Sequence, residues 1–148
     1  MTYTTDSAAQ GPVSGTRDMT VSAKTDMSGR RVLVVEDEAL VSMLLEDMLE
    51  DLGCEVLGPV MRVNDALAFV ADPDSRIDVA ILDVNLAGER SFSVAEALHA
   101  KGKPFVLSTG YDDGGIDQIW RDRPMLRKPF LASQLEAALK EALSGAVG

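Results

Sequence analysis

The chain has 148 residues and is 46% hydrophobic, which is enough for one domain with a sizeable core. Its 14 Lys+Arg against 24 Asp+Glu give a formal net charge of −10, and a surface of that sign disfavours direct binding to nucleic acid or anionic membrane. No apolar run approaches membrane-spanning length and the N-terminus lacks the apolar stretch of a secretory signal, so a soluble cytoplasmic protein is expected.

Residues 1–29 are rich in Thr, Ser, Ala and Gly without apolar periodicity, and read as a disordered tail. Over the first thirty residues Asp6, Asp18 and Asp26 balance Arg17, Lys24 and Arg30, so the acidic excess falls on residues 31–148. Arg31 to Val35 is an apolar, central-type strand that ends in Glu36-Asp37-Glu38. Leu40, Val41, Leu44, Leu45, Met48, Leu49 and Leu52 follow at helical spacing, and Gly53 stops that helix. Cys54 to Leu57 is a second strand, closed by Gly58-Pro59. Its lone cysteine excludes a disulfide framework or a cysteine zinc site. A shorter helix begins at Asn64 and is ended by Pro73.

Ile77 to Leu82 is a β-branched run interrupted only by Asp78, and it leads into Asp83 and a loop closed by Gly88. Ser91 is placed to cap a third helix, Phe92 to Ala100. His99 sits late in that helix, where a solvated or dipole-favoured role is expected. Pro104 to Ser108 is a fourth strand, followed by Thr109-Gly110-Tyr111. Ile116, Ile119 and Trp120 suggest a short fourth helix, a core stripe in which Trp120 is also a candidate partner anchor. Met125 to Arg127 is a fifth strand before Lys128-Pro129. A last helix places Leu131, Leu135, Ala138, Leu139, Ala142 and Leu143 on one face and ends near Gly145.

Five β–α alternations with short connections predict an α/β domain with a parallel sheet covered on both faces. In such a sheet the carboxyl ends of all strands share one edge, where ligands and chemistry gather. That edge brings together Glu36, Asp37, Asp83, Thr109 and Lys128. Like charges about 4 Å apart repel by roughly 4 kcal/mol at an effective dielectric near 20. Three carboxylates therefore call for a cation, and an all-oxygen donor set suits Mg²⁺. The pattern favours phosphoryl transfer to Asp83 as nucleophile, with Thr109 donating a hydrogen bond and Lys128 supplying positive charge.

These residues, in order at the correct strand ends, resemble a bacterial response-regulator receiver domain: Glu36-Asp37, Asp83 in Ile-Leu-Asp-Val-Asn-Leu, Thr109 in Leu-Ser-Thr-Gly-Tyr, and Lys128 in Arg-Lys-Pro-Phe. The resemblance covers residues 31–144 and places the domain at 30–145, with a short end at 146–148. It implies a flavodoxin-like doubly wound five-stranded sheet of strand order 2-1-3-4-5. It also implies phosphorylation of Asp83 by a histidine kinase or phosphotransfer protein with Mg²⁺, which Glu36, Asp37, Asp83 and the backbone carbonyl of Asn85 would surround. Thr109 and Lys128 would sense the phosphoryl group and shift the face of the fourth helix, fifth strand and fifth helix, through which a weak dimer could also form. Family members usually carry an aromatic switch residue three positions before the lysine. Here that position is Met125, and Tyr111 is the residue placed to share the role.

No output segment follows Gly148, so a stand-alone switch acting through a protein target or a phosphorelay is expected. An aspartyl-nucleophile phosphohydrolase of haloacid-dehalogenase type is an alternative, but Asn85 stands where that chemistry places its general acid. A flavodoxin-type cofactor site is disfavoured, because Glu36-Asp37-Glu38 would repel phosphate. A phosphorylation-independent adaptor would not need the acceptor residues.

Overall fold

The computed structural model describes residues 27–110, 116 and 118–145. Five strands form one parallel sheet: β1 (Arg31–Val35), β2 (Glu55–Val60), β3 (Val79–Asp83), β4 (Phe105–Thr109) and β5 (Met125–Arg127). The order across the sheet is β2-β1-β3-β4-β5, as the resemblance implies. The helices are α1 (Ala39–Asp51), α2 (Val63–Ala71), α3 (Phe92–Ala100) and α4 (Ala132–Gly145). None of the described helices is long and apolar enough to cross a membrane.

Side-chain alternation along the strands divides the core in two. Leu33, Ala80, Leu82, Phe105 and Leu107 pack with Val63, Val70, Val94 and Leu98 of α2 and α3. Val32, Val34, Ile81, Val106 and Leu126 pack with Leu45 and Leu49 of α1 and Leu135 and Leu139 of α4. The central strands β1, β3 and β4 are covered on both faces, which is why they read as continuous apolar runs.

Several expectations change. Met27, within the expected tail, is buried in the second cluster, and its carbonyl accepts a hydrogen bond from Cys54 Sγ at 3.4 Å. The first 26 positions of the expected tail, and residues 146–148, lie outside the described residues. β2 continues beyond Leu57 through Gly58-Pro59 to Val60, with its register against β1 shifting between Leu33 and Val35. Gly58 makes this possible. Its φ is +93°, and a Cβ there would lie 2.8 Å from both the Val34 carbonyl and the Val60 nitrogen. Pro59 is tolerated because β2 is an edge strand.

In α1, successive residues turn by about 100°, so the stripe Ser42, Leu45, Leu49 meets the sheet while Leu40, Met43 and Leu44 fall on the far, exposed side. Leu131 is likewise exposed, one residue before α4 begins, and its N–H donates to Gln134 Oε1 at 2.8 Å. The expected fourth helix is a single 3₁₀ turn, Gln118–Trp120, between a glycine-rich stretch and Pro124. Ile119 is its exposed residue. Trp120 is only 3% exposed, so a role as a surface anchor is corrected: it packs edge-on against Phe105, with centroids 5.7 Å apart. His99 is exposed but not merely solvated, since its ring meets Trp120 and its Nδ1 lies 2.7 Å from Arg123 Nη2.

Candidate phosphoryl-acceptor site

The same alternation aims the site. Val34, Ile81 and Leu126 face the α1/α4 side, so Glu36, Asp83 and Lys128, each two residues further on, are directed to that side at the carboxyl edge. In β1 and β3 the apolar run gives way to charge at the carboxyl end, Val35 to Glu36 and Leu82 to Asp83, and in β5 Arg127 and Lys128 follow Leu126, which puts the charges where the sheet stops.

Lys128 lies at the centre. Its Nζ is 2.9 Å from Asp83 Oδ2, 3.1 Å from Glu36 Oε1 and 3.6 Å from Glu38 Oε1. The backbone helps to place it, because its N–H donates to the Thr109 carbonyl at 2.8 Å, tying the end of β5 to the end of β4. Asp83 Oδ1 accepts the Asn85 N–H at 3.2 Å. Glu36 Oε2 accepts the Glu38 N–H at 3.1 Å. One carboxylate oxygen from each of Glu36, Asp37 and Asp83 lies within 4.8 Å of the others. Glu36 and Asp83 are 2% exposed, and Asp37 is half-buried.

This crowding leaves the acids short of positive charge. Burial, then the neighbouring charge of Asp83, pushes the Glu36 carboxyl up to about 7. Burial also raises Asp83, against the opposing pull of Lys128. For Lys128, burial disfavours the ammonium, but Asp83 and Glu36 outweigh it and raise its pKa. An all-oxygen set with one ammonium among several carboxylates fits a hard divalent cation, as Mg²⁺ would be.

A pH dependence follows. The folded state keeps a proton on Glu36 that the unfolded chain releases near its ordinary value of 4.5. Glu36 therefore contributes stability below pH 4.5 that is lost as pH rises toward 7. Without divalent cation, Glu36→Gln is expected to gain on the wild type by about 2–3 kcal/mol over that interval. Urea unfolding of both proteins at pH 4.5 and 7.5 checks this. A constant difference between them would contradict it.

The loop after Asp83 is pinned by a residue with another expected role. Ser91 takes the N-cap position ahead of α3, but its hydroxyl does not cap the helix. It donates back to the carbonyls of Asp83 and Val84, while its N–H donates to the Val84 carbonyl at 3.0 Å. Between them, Asn85–Leu86 and Glu89–Arg90 pair as a short antiparallel ribbon, turned through Ala87 and Gly88 at positive φ. A cleft of about 620 Å³, lined by Asp37, Pro59, Met61, Arg62 and Ala87 among others, opens beside the acids.

Thr109 ends β4 and is buried. No hydrogen bond among the described residues joins its hydroxyl to Asp83. Met125 opens β5 and is partly exposed. Tyr111 lies outside the described residues. Sequence reasoning missed the contact of Glu38 with Lys128, the turned-back hydroxyl of Ser91, and Ser108. Only Ser108 had a visible signal, as a polar residue inside an apolar strand.

No family model matches the chain. It is 33% identical over 121 residues to the transcriptional regulatory protein PdtaR of Mycobacterium tuberculosis, covering 78% of this chain and 57% of PdtaR. The chain thus spans little more than half the length of that relative. Among solved structures it is similar to SdrG from Sphingomonas melonis Fr1, at 45% identity and TM-score 0.67, covering 82% of this chain and 98% of that one. The BeF3-activated conformation of SdrG from Pseudomonas melonis Fr1 matches at 48% identity and TM-score 0.66, over 78% of this chain and 98% of that one. The signal receiver domain of a modulated diguanylate cyclase from Desulfovibrio desulfuricans G20 is 28% identical with TM-score 0.70, over 81% and 98% of the two chains.

Proposed function

Because this chain belongs to the receiver-domain family of response regulators, we propose that it is a phosphorylation switch whose acceptor is Asp83. The observation that carries the reading is a buried carboxylate at the end of a central strand, 2.9 Å from Lys128 and within 4.8 Å of two further acids.

In the proposed step an Asp83 carboxylate oxygen attacks the phosphorus of a phosphohistidine on a histidine kinase or phosphotransfer protein. The O–P bond forms as the P–N bond breaks. The electron pair returns to the imidazole nitrogen, which takes up a proton. Glu36, Asp37, Asp83 and the Asn85 carbonyl would hold Mg²⁺, which supplies positive charge for the phosphoryl oxygens. Before transfer, Lys128 and the Asn85 N–H hold the two Asp83 oxygens in place. Afterwards Lys128 follows the charge to the phosphoryl group and Thr109 donates to one of its oxygens.

The movement is read out by a protein target or a further phosphotransfer partner, through the surface that carries Met125 and the exposed Ile119 and Leu131. In that scheme the protein is a switch in the cytoplasm, not a turnover enzyme. A phosphohydrolase would need a general acid two residues after its nucleophile. Asn85 occupies that position and offers its backbone N–H to Asp83 instead.

Incubation with acetyl phosphate and Mg²⁺ tests the reading, followed by intact-mass measurement. One added phosphoryl group per chain is expected, with no sustained release from simple phosphate esters. Failure to acquire phosphate, or steady turnover, would overturn it.

A further inference from the structure

Among the described residues, one buried side-chain polar atom has no hydrogen-bond partner: Ser108 Oγ. Ser108 is the penultimate residue of β4 and 1% exposed. Strand register places it directly beside Asp83 of β3 on one side and Leu126 of β5 on the other. The register pair two positions earlier, Ile81 and Val106, belongs to the α1/α4 cluster, as does Leu126. Asp83 and Ser108 therefore project from the same face of adjacent strands, which lie about 4.8 Å apart. In the unmodified protein the Asp83 oxygens are taken, Oδ1 by the Asn85 N–H and Oδ2 by Lys128. The Ser108 hydroxyl has nothing to serve.

We propose that Ser108 is a positioning residue, its hydroxyl a donor held in reserve for the Asp83 carboxyl and engaged once that carboxyl is modified. The inference rests on Asp83 being the acceptor. Transfer makes Asp83 a mixed anhydride, in which one oxygen bridges to phosphorus and the other is left as a carbonyl. Lys128, the stronger donor, is drawn to the phosphoryl charge. The carboxyl it leaves then lies beside a buried hydroxyl that lacks an acceptor. A hydrogen bond unmet before modification and met after it biases the equilibrium toward the modified state.

The test uses Ser108→Ala, with Ser108→Thr restoring the hydroxyl. Each variant is titrated with beryllofluoride at saturating Mg²⁺, and its denaturation midpoint is measured with and without beryllofluoride. The Ala variant is expected to be at least as stable as the wild type without beryllofluoride. Its apparent beryllofluoride affinity should fall on the order of fivefold, at an unchanged Mg²⁺ midpoint, and Thr should recover affinity. Unchanged affinity in the Ala variant would overturn the inference, because the hydroxyl would then be equally satisfied in both states. A loss of stability that is the same with and without beryllofluoride would overturn it too, as a purely structural effect. If the wild type itself bound no beryllofluoride, it is the reading of Asp83 as acceptor that would fall.

Discussion

Asp83→Asn takes up no phosphoryl group from acetyl phosphate under conditions that label the wild type, and it stays folded. The amide keeps the shape of the carboxyl and still offers an oxygen to the Asn85 N–H, but it has no anionic oxygen to attack phosphorus. Loss of the nucleophile removes the reaction entirely, whereas loss of an assisting group only slows it. Stability is expected to move the other way. Asp83 and Glu36 are both buried and repel each other, and the charge of Asp83 is one of the causes that lift Glu36 to about 7. Neutralising Asp83 lets Glu36 return toward its ordinary value beside Lys128, a gain on the order of 1 kcal/mol at neutral pH. Intact mass and urea unfolding measure the two effects. Labelling of the variant at another carboxylate, Asp37 for example, would show that the acceptor is misassigned.

Lys128→Ala is expected to have the largest effect on stability. The ammonium touches Asp83, Glu36 and Glu38, and the first two are nearly inaccessible to water. Removing one side of a buried ion pair leaves uncompensated charge and typically costs about 3–5 kcal/mol. The loss should be greatest near pH 7.5, where Glu36 ionises in the folded wild type. It should shrink at pH 5, where a proton on Glu36 replaces the missing cation. Added Mg²⁺ should recover part of the loss at the higher pH. Lys128→Arg is not a simple rescue, since a planar fork cannot reproduce a point charge reaching three carboxylates at once. Denaturant midpoints at the two pH values, with and without Mg²⁺, provide the measurement. An equal loss at both pH values would mean that Lys128 acts by packing rather than by charge.

The parallel sheet and its reactive edge were legible because each central strand changes character abruptly, from an apolar run to a polar residue. Val35 before Glu36, Leu82 before Asp83 and Leu107 before Ser108 mark the points where the apolar runs end. Parallel strands put those ends on one edge whatever their separation in sequence. That much depends on local pattern and on the handedness and shortness of β–α connections, and the sequence alone carries it.

Tertiary structure decided which neighbours those residues have. Glu38 was one of three adjacent acids in the sequence. The turn into α1 brings it to Lys128, while the half-buried Asp37 joins Glu36 and Asp83 in the acidic group. The apolar spacing of α1 could not say which stripe would meet the sheet, because Leu40 and Leu44 fit a helical period as well as Leu45 and Leu49 do. Only the helix's rotation against β1 and β2 settles that. Trp120 could have been surface or core, until the last residues before β5 laid it on Phe105. Ser91 had the sequence of a helix cap and became the clamp on the loop after Asp83. Periodicity and strand ends follow from the order of residues along one segment. Partners across the sheet depend on register between segments, and register exists only once the core has packed.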